Sequence, residues 1–228
     1  MIGALTFEPE GHVYRFKGRV VPSVTQVLEQ LEVGSFVAAI KEAMRGQTYA
    51  AQSSAIADAI DRWQAAAEFG THVHQACHLL NQNDLDEEAL DPALIPYVNS
   101  YRLFLAETGF VVTGSEILLY HALMGYAGAA DIFGDWMRAD WVVDIKSGIV
   151  PKTVGAQTAA YQNAAPKKPR RRLCLRLCPA EDGRPKYELL EQKEASDFSL
   201  FTSALNVYRF NQKHYSRKDN AKRISEYT

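Results

Sequence analysis

The residue pattern of this 228-residue chain changes character at Phe110, and that change restricts the folds open to it. From about Ala50 to Gln82 apolar residues recur at helical spacing, with Ile56, Ile60, Trp63 and Ala67 continued by Val73, Cys77 and Leu80. Beyond Phe110 the segments 110–120, 126–136 and 141–145 are short and rich in β-branched and aromatic residues. Turn-like stretches at 123–125 and 137–140 join them, so they read as three strands of a meander. A helix over about 153–163, strands at 172–178 and 186–191 around an Asp182-Gly183 turn, and a last helix from about Glu194 to Lys213 follow. This order predicts an α/β fold with a central mixed β-sheet flanked by helices.

The N-terminal part adds an expected hairpin, in which Leu5 and Phe7 alternate ahead of a Pro9-Glu10-Gly11 turn and Val13, Tyr14 and Phe16 follow it. Ser23 stands before Val24, Val27, Leu28 and Leu31 as an N-cap, and Gly34 is expected to end that helix. Gly70 falls inside the longer helical stretch, where it costs about 1 kcal/mol relative to Ala and predicts a break or a close contact. The acidic loop from Asp84 to Glu88, read as solvated surface, leads to a helix from about Pro92 to Gly109. The expected organisation is one domain over 1–228: hairpin and helices to 109, sheet and helix over 110–191, then a C-terminal helix and basic tail.

With 47% hydrophobic and 23% charged residues the composition is that of an ordinary globular chain. No stretch approaches the apolar length that a membrane helix needs, so a soluble, cytoplasmic protein is expected. Cys77, Cys174 and Cys178 are too few for a disulfide framework; they suit a reducing compartment and read as small core residues. A net charge of −2 excludes a protein that coats nucleic acid by bulk charge. Two basic clusters leave room for local contacts: Lys167, Lys168, Arg170, Arg171 and Arg172, and the stretch carrying Arg209, Lys213, Arg217, Lys218, Lys222 and Arg223. Solvated loops and a frayed tail account for both equally well.

The chemistry is concentrated at 141–148, Trp-Val-Val-Asp-Ile-Lys-Ser-Gly. A strand period of two puts Asp144 and Lys146 on one face. A carboxylate there can hold a divalent cation while the ammonium stands beside the water and phosphate that the cation binds, which is the combination phosphodiester hydrolysis needs. An exposed ion pair is the competing explanation. Asp131 strengthens the first reading. It follows small apolar residues on the preceding strand, where an unpaired charge is costly, so a metal ion such as Mg²⁺ or Mn²⁺ shared with Asp144 fits; pairing with a nearby Arg or Lys is the alternative.

The motifs in order are Gly70-Thr71-His72-Val73-His74, Glu116, Gly128-x-x-Asp131, Asp144-Ile145-Lys146 and Gln157-x-x-x-Tyr161. Together they resemble the RecB-like exonuclease group of the PD-(D/E)xK nucleases, found in CRISPR-associated, mitochondrial genome maintenance and bacteriophage exonucleases. Val21-Pro22-Ser23-Val24-Thr25 is similar to the start of the phage and mitochondrial members. The resemblance implies a restriction-endonuclease-like core and one or two Mg²⁺ or Mn²⁺ ions held by His74, Asp131, Asp144 and the Ile145 carbonyl. Lys146 would orient or activate the attacking water, and Gln157 and Tyr161 would position the lysine and contact DNA. Glu116 would support the site, although a strand carboxylate facing solvent looks the same in sequence.

His74 and His78 also have the spacing of a zinc pair, but Cys174 and Cys178 lack the two-residue gap of a zinc knuckle, and three cysteines do not match the four that hold the iron-sulfur cluster of some relatives. No such cluster is expected. The expected function is a metal-dependent deoxyribonuclease, an exonuclease of phage or bacterial recombination, replication or repair, with DNA as partner and the basic loop 167–172 gripping it beside the site. A single-strand-binding or annealing protein is a further partner that the resemblance allows. An endonuclease of the same fold and a catalytically silent DNA-binding or interaction subunit are the alternatives.

Overall fold

The computed structural model describes residues 4–45 and 49–215, so Arg217, Lys218, Lys222 and Arg223 of the second basic cluster lie outside the described residues. Strands β1 (Leu5–Glu8), β2 (Val13–Phe16) and β3 (Arg19–Val21) make a small antiparallel sheet, one strand more than the expected hairpin. Ser23 caps α1 (Val24–Met44) in a reciprocal box: its Oγ accepts from the Gln26 N–H and its own N–H donates to Gln26 Oε1, both at 3.1 Å. The helix continues through Gly34 instead of ending there as expected. One glycine weakens a helix by only about 1 kcal/mol, and α1 packs against three other helices.

Helix α2 (Tyr49–Gln82) is also unbroken at Gly70. A Cβ at Gly70 would lie 3.5 Å from Ser147 Oγ, an ordinary contact just past the Asp144-Ile145-Lys146 segment, so the helix has neither a break nor a contact that requires glycine there. Helix α3 (Ile95–Thr108) starts later than expected and stops at Gly109, whose φ of 65° is the left-handed cap conformation that favours glycine.

The main sheet has the order β4 (Val111–His121), β5 (Tyr126–Trp136), β6 (Ala139–Lys146), β7 (Arg171–Leu177), β8 (Tyr187–Glu191). Only β6 and β7 are parallel, because α4 (Val154–Ala164) crosses over between them, and α5 (Asp197–His214) follows β8. One face buries Leu119, Tyr126, Ala130 and Val142 against α1, α4 and α5. The other buries Ile132, Trp141, Val143, Ile145, Leu173 and Leu175 against α2 and α3. This is the mixed sheet flanked by helices that the element order predicts.

Two joints tie the small sheet to the large one. Phe16 stacks on Tyr120 with centroids 3.8 Å apart, and the Ala127 N–H donates to Pro22 O at 2.9 Å. The N-terminal turn is thereby held beside β4 and β5. No helix among the described residues is long and apolar enough to cross a membrane.

Candidate metal and catalytic site

Asp144 and Lys146 share the face of β6 that α4 covers. The Lys146 ammonium lies 2.8 Å from Asp144 Oδ2 and donates to Gln157 Oε1 at 3.3 Å, and Gln157 Nε2 donates to the Tyr161 hydroxyl at 3.2 Å. Gln157 and Tyr161 are one turn apart on α4, so the helix presents them as a single brace. Ala156, Ala159 and Ala160 leave room for α4 to lie close over the sheet. Asp144 is fully buried; its contact with the ammonium is an ion pair without hydrogen-bond alignment, and its Oδ1 has no hydrogen-bond partner among the described residues.

Asp131 enters through an irregularity of the sheet. Ala130 packs on the α1, α4 and α5 side and Ile132 on the α2 and α3 side, although residues two apart on a regular strand face the same way. The pleat therefore changes phase at Asp131. On β4, pairing steps from Ser115↔Ile132 to Ile117↔Ala130, and Glu116 between them has a φ of 52°, rare for a non-glycine residue and strained. Both carboxylates leave the regular pleat at the same level.

Asp131 Oδ2 accepts a 2.6 Å bond from the Ile145 N–H, and its Oδ1 lies 3.4 Å from His74 Nδ1 on α2. Donor atoms of His74, Glu116 and Asp131 all lie within 4.8 Å of one another. Asp144 is outside this group and lies on the lysine side of the site. The distorted strand is also tied to α2, where Ser115 Oγ is 2.8 Å from His78 Nδ1 and accepts from Asn81 Nδ2 at 3.3 Å. Asn81 Oδ1 in turn accepts from the Tyr101 hydroxyl at 2.9 Å.

The charges are tightly linked. Burial pushes Glu116 up to about 7, helped by the Asp131 charge, and pushes Asp144 up to about 6 against the pull of Lys146. Burial opposes the charging of His74, but Asp131 outweighs it and raises the imidazole to about 9. Burial likewise disfavours the Asp131 carboxylate, yet the His74 charge holds it below its ordinary value. Lys146 loses solvation, but Asp144 and Asp131 keep it above the usual lysine value.

The two carboxylates are oxygen ligands suited to Mg²⁺ or Mn²⁺, and the imidazole, a softer nitrogen ligand, favours Mn²⁺ of the two. Burial beside Asp131 disfavours the ionised form of Glu116, and a dication among these donors would supply the missing counter-charge, so the residues fit the ion. His74, Glu116, Asp131, Lys146, Gln157 and Tyr161 line one cleft of about 470 Å³.

The basic loop is not brought to this cleft. Because β6 and β7 are parallel, with Trp141 opposite Arg171 and Lys146 opposite Arg176, the chain enters β7 about 17 Å from the lysine. Arg172 is buried against Gly155 O, Glu194 O and Asp197, which ties β7 to α4 and α5. Arg170 and Lys167 pair with Asp140, Arg171 pairs with Glu191 and lies over Trp141, and Lys168 donates to Asn163. The expectation that this loop lies beside the site is corrected by that register. Sequence reasoning missed Tyr14, which lines the cleft and senses the charges of Glu116 and Asp131, and the Ser115 clamp; neither belongs to a motif.

No protein-family model and no curated protein matches the chain. Among solved structures the chain is similar to an alkaline exonuclease (LHK-Exo) from Laribacter hongkongensis, with a TM-score of 0.40 and 15% identity over 83% of this chain and 99% of that one. It is also similar to LHK-Exo in complex with dAMP, with a TM-score of 0.35 and 14% identity over 81% of this chain and 91% of that one. At scores this low the functional reading rests on the residues themselves.

Proposed function

We propose that this chain is a metal-dependent DNA nuclease of the RecB-like PD-(D/E)xK kind, acting as an exonuclease in phage or bacterial recombination, replication or repair. The observation that carries the reading is the convergence of His74, Glu116 and Asp131 within 4.8 Å in the cleft that Lys146 also lines. These three residues would hold Mg²⁺ or Mn²⁺, with Asp144 and the Ile145 carbonyl as the further ligands that the motif resemblance implies. When bound, the ion supplies Lewis acidity to a phosphoryl oxygen and makes hydroxide available at neutral pH.

The chain's own residues do the positioning. Asp144 and Gln157 fix the Lys146 ammonium, Tyr161 fixes Gln157, and the Ile145 N–H fixes Asp131. A lysine held this way can stabilise charge that builds on a phosphoryl oxygen or hold a water for attack.

The test is digestion of end-labelled single- and double-stranded DNA with Mg²⁺, Mn²⁺ or chelator, beside Asp131→Ala and Lys146→Ala. Metal-dependent cleavage that both substitutions abolish is expected, and full activity in chelator would overturn the reading. Closed single-stranded circles should survive; their cleavage would assign an endonuclease instead.

A further inference from the structure

The small N-terminal sheet and the turn within it also contribute to the lining of the cleft that Lys146 lines. Phe7 on β1, His12 in the following turn and Tyr14 on β2 form a cluster of rings, with centroids 5.2 Å (Phe7–His12), 4.6 Å (Phe7–Tyr14) and 5.3 Å (His12–Tyr14) apart. His12 stands at 80° to Phe7 and 79° to Tyr14, so the rings make a corner rather than a continuous stack. His12 is exposed and has a φ of 51°, a conformation that favours glycine; its N–H donates to Pro9 O at 3.1 Å and its Nε2 lies 3.4 Å from Thr25 Oγ1. Thr25 Oγ1 is in turn 3.0 Å from Ser23 Oγ. The turn thus holds a histidine ring at the cleft beside two hydroxyls.

The lining is mixed: His74, Glu116, Asp131 and Lys146 bring charge, whereas Phe7, Tyr14, Ser23, Val24 and Thr25 carry neither carboxylate nor ammonium. A phosphodiester drawn to the charged groups finds rings and hydroxyls in the same cleft for its sugar and base. A base paired and stacked in a duplex offers no free face to such rings, whereas an unpaired base does. Aromatic rings accept any base, since every base has a π-face.

We infer that the Phe7–His12 corner, with Thr25, is a nucleobase subsite that stacks the base of the nucleotide being cleaved, so the substrate is a DNA strand unpaired at that nucleotide. This rests on the nuclease reading above.

The test compares two single-stranded oligonucleotides of equal length, one natural and one with abasic tetrahydrofuran residues at its terminal positions, cleaved in Mn²⁺. The wild-type protein is expected to favour the natural strand in kcat/KM by about 5- to 150-fold, the range for one stacked base. Phe7→Leu keeps an apolar side chain on β1 and His12→Asn keeps a residue that tolerates the turn, and in both the preference falls toward one. A wild-type preference near one, or an unchanged preference in both variants, overturns the subsite. Frayed duplex ends should be cut faster than blunt ends, and the reverse order overturns the unpaired substrate. A wild-type protein that cuts neither oligonucleotide overturns the nuclease reading and the subsite with it.

Discussion

Replacing Gly128 with alanine probes how firmly the lysine is held. A Cβ at this position would stand 2.8 Å from Tyr161 Cε1 and 3.2 Å from Val24 Cγ2. Carbon atoms in contact prefer about 3.5 Å or more, so Tyr161 has to retreat by about 0.7 Å, or β5 has to bend. Tyr161 is 4% exposed and packed in the α1, α4 and α5 core, where overpacking costs about 1–3 kcal/mol. In a chain of this size that lowers Tm by about 2–12 °C.

The effect on activity should be larger than the effect on stability. The Tyr161 hydroxyl accepts from Gln157, and Gln157 accepts from Lys146, so a shift of the ring reaches the ammonium through two hydrogen bonds. A misplacement approaching 1 Å at a catalytic group costs up to about 100-fold, so Gly128→Ala should lose roughly 10- to 100-fold in kcat on an oligonucleotide substrate. Adding Tyr161→Leu removes the clashing Cε1 and the hydroxyl together. The two substitutions should then destabilise by less than the sum of their separate effects in thermal unfolding, with kcat not recovered. Unchanged Tm with full kcat would refute the packing argument; lowered Tm with full kcat would refute transmission through Tyr161.

Two further outcomes follow from the charges. In the metal-free protein Glu116 and Asp144 titrate near 7 and 6, above their unfolded values, so each contributes stability that is present at low pH and lost as pH rises through those values. His74, raised to about 9, loses its contribution higher still. Because ligands must shed their protons, the rise in Tm on adding Mn²⁺ should grow steadily from pH 5 to 8, and a pH-independent rise would contradict the assigned ligands. Arg172→Ala should cost about 3–5 kcal/mol in urea unfolding, since it leaves Asp197 and two carbonyls without their buried partner. A loss under about 1 kcal/mol, the range of exposed pairs, would show that the guanidinium does not hold the helices and return Arg172 to the DNA-contact reading.

What the sequence made legible, and what it hid, follows from how locally each feature is encoded. Strands β4 to β6, α4 and the Ser23 cap were readable because their periods and caps lie within a few neighbouring residues. So was the shared face of Asp144 and Lys146, a consequence of strand period alone. The basic loop misled because a run of like charge says nothing about which end of a sheet it reaches; the parallel register of β6 and β7 decides that. β3 was missed because Arg19-Val20-Val21 is too short to show a period. Glu116 is the most instructive case. The register sets Glu116 directly across from Asp131, and the turn of the two carboxylates toward His74 goes with a left-handed residue at 116, a phase change at 131 and a clamp on Ser115 from His78 and Asn81. Local preference opposes the first, and the clamp spans more than thirty residues of chain. Pattern rules give neither the register of β4 on β5 nor its local irregularity, so they say least about the residues closest to the proposed chemistry.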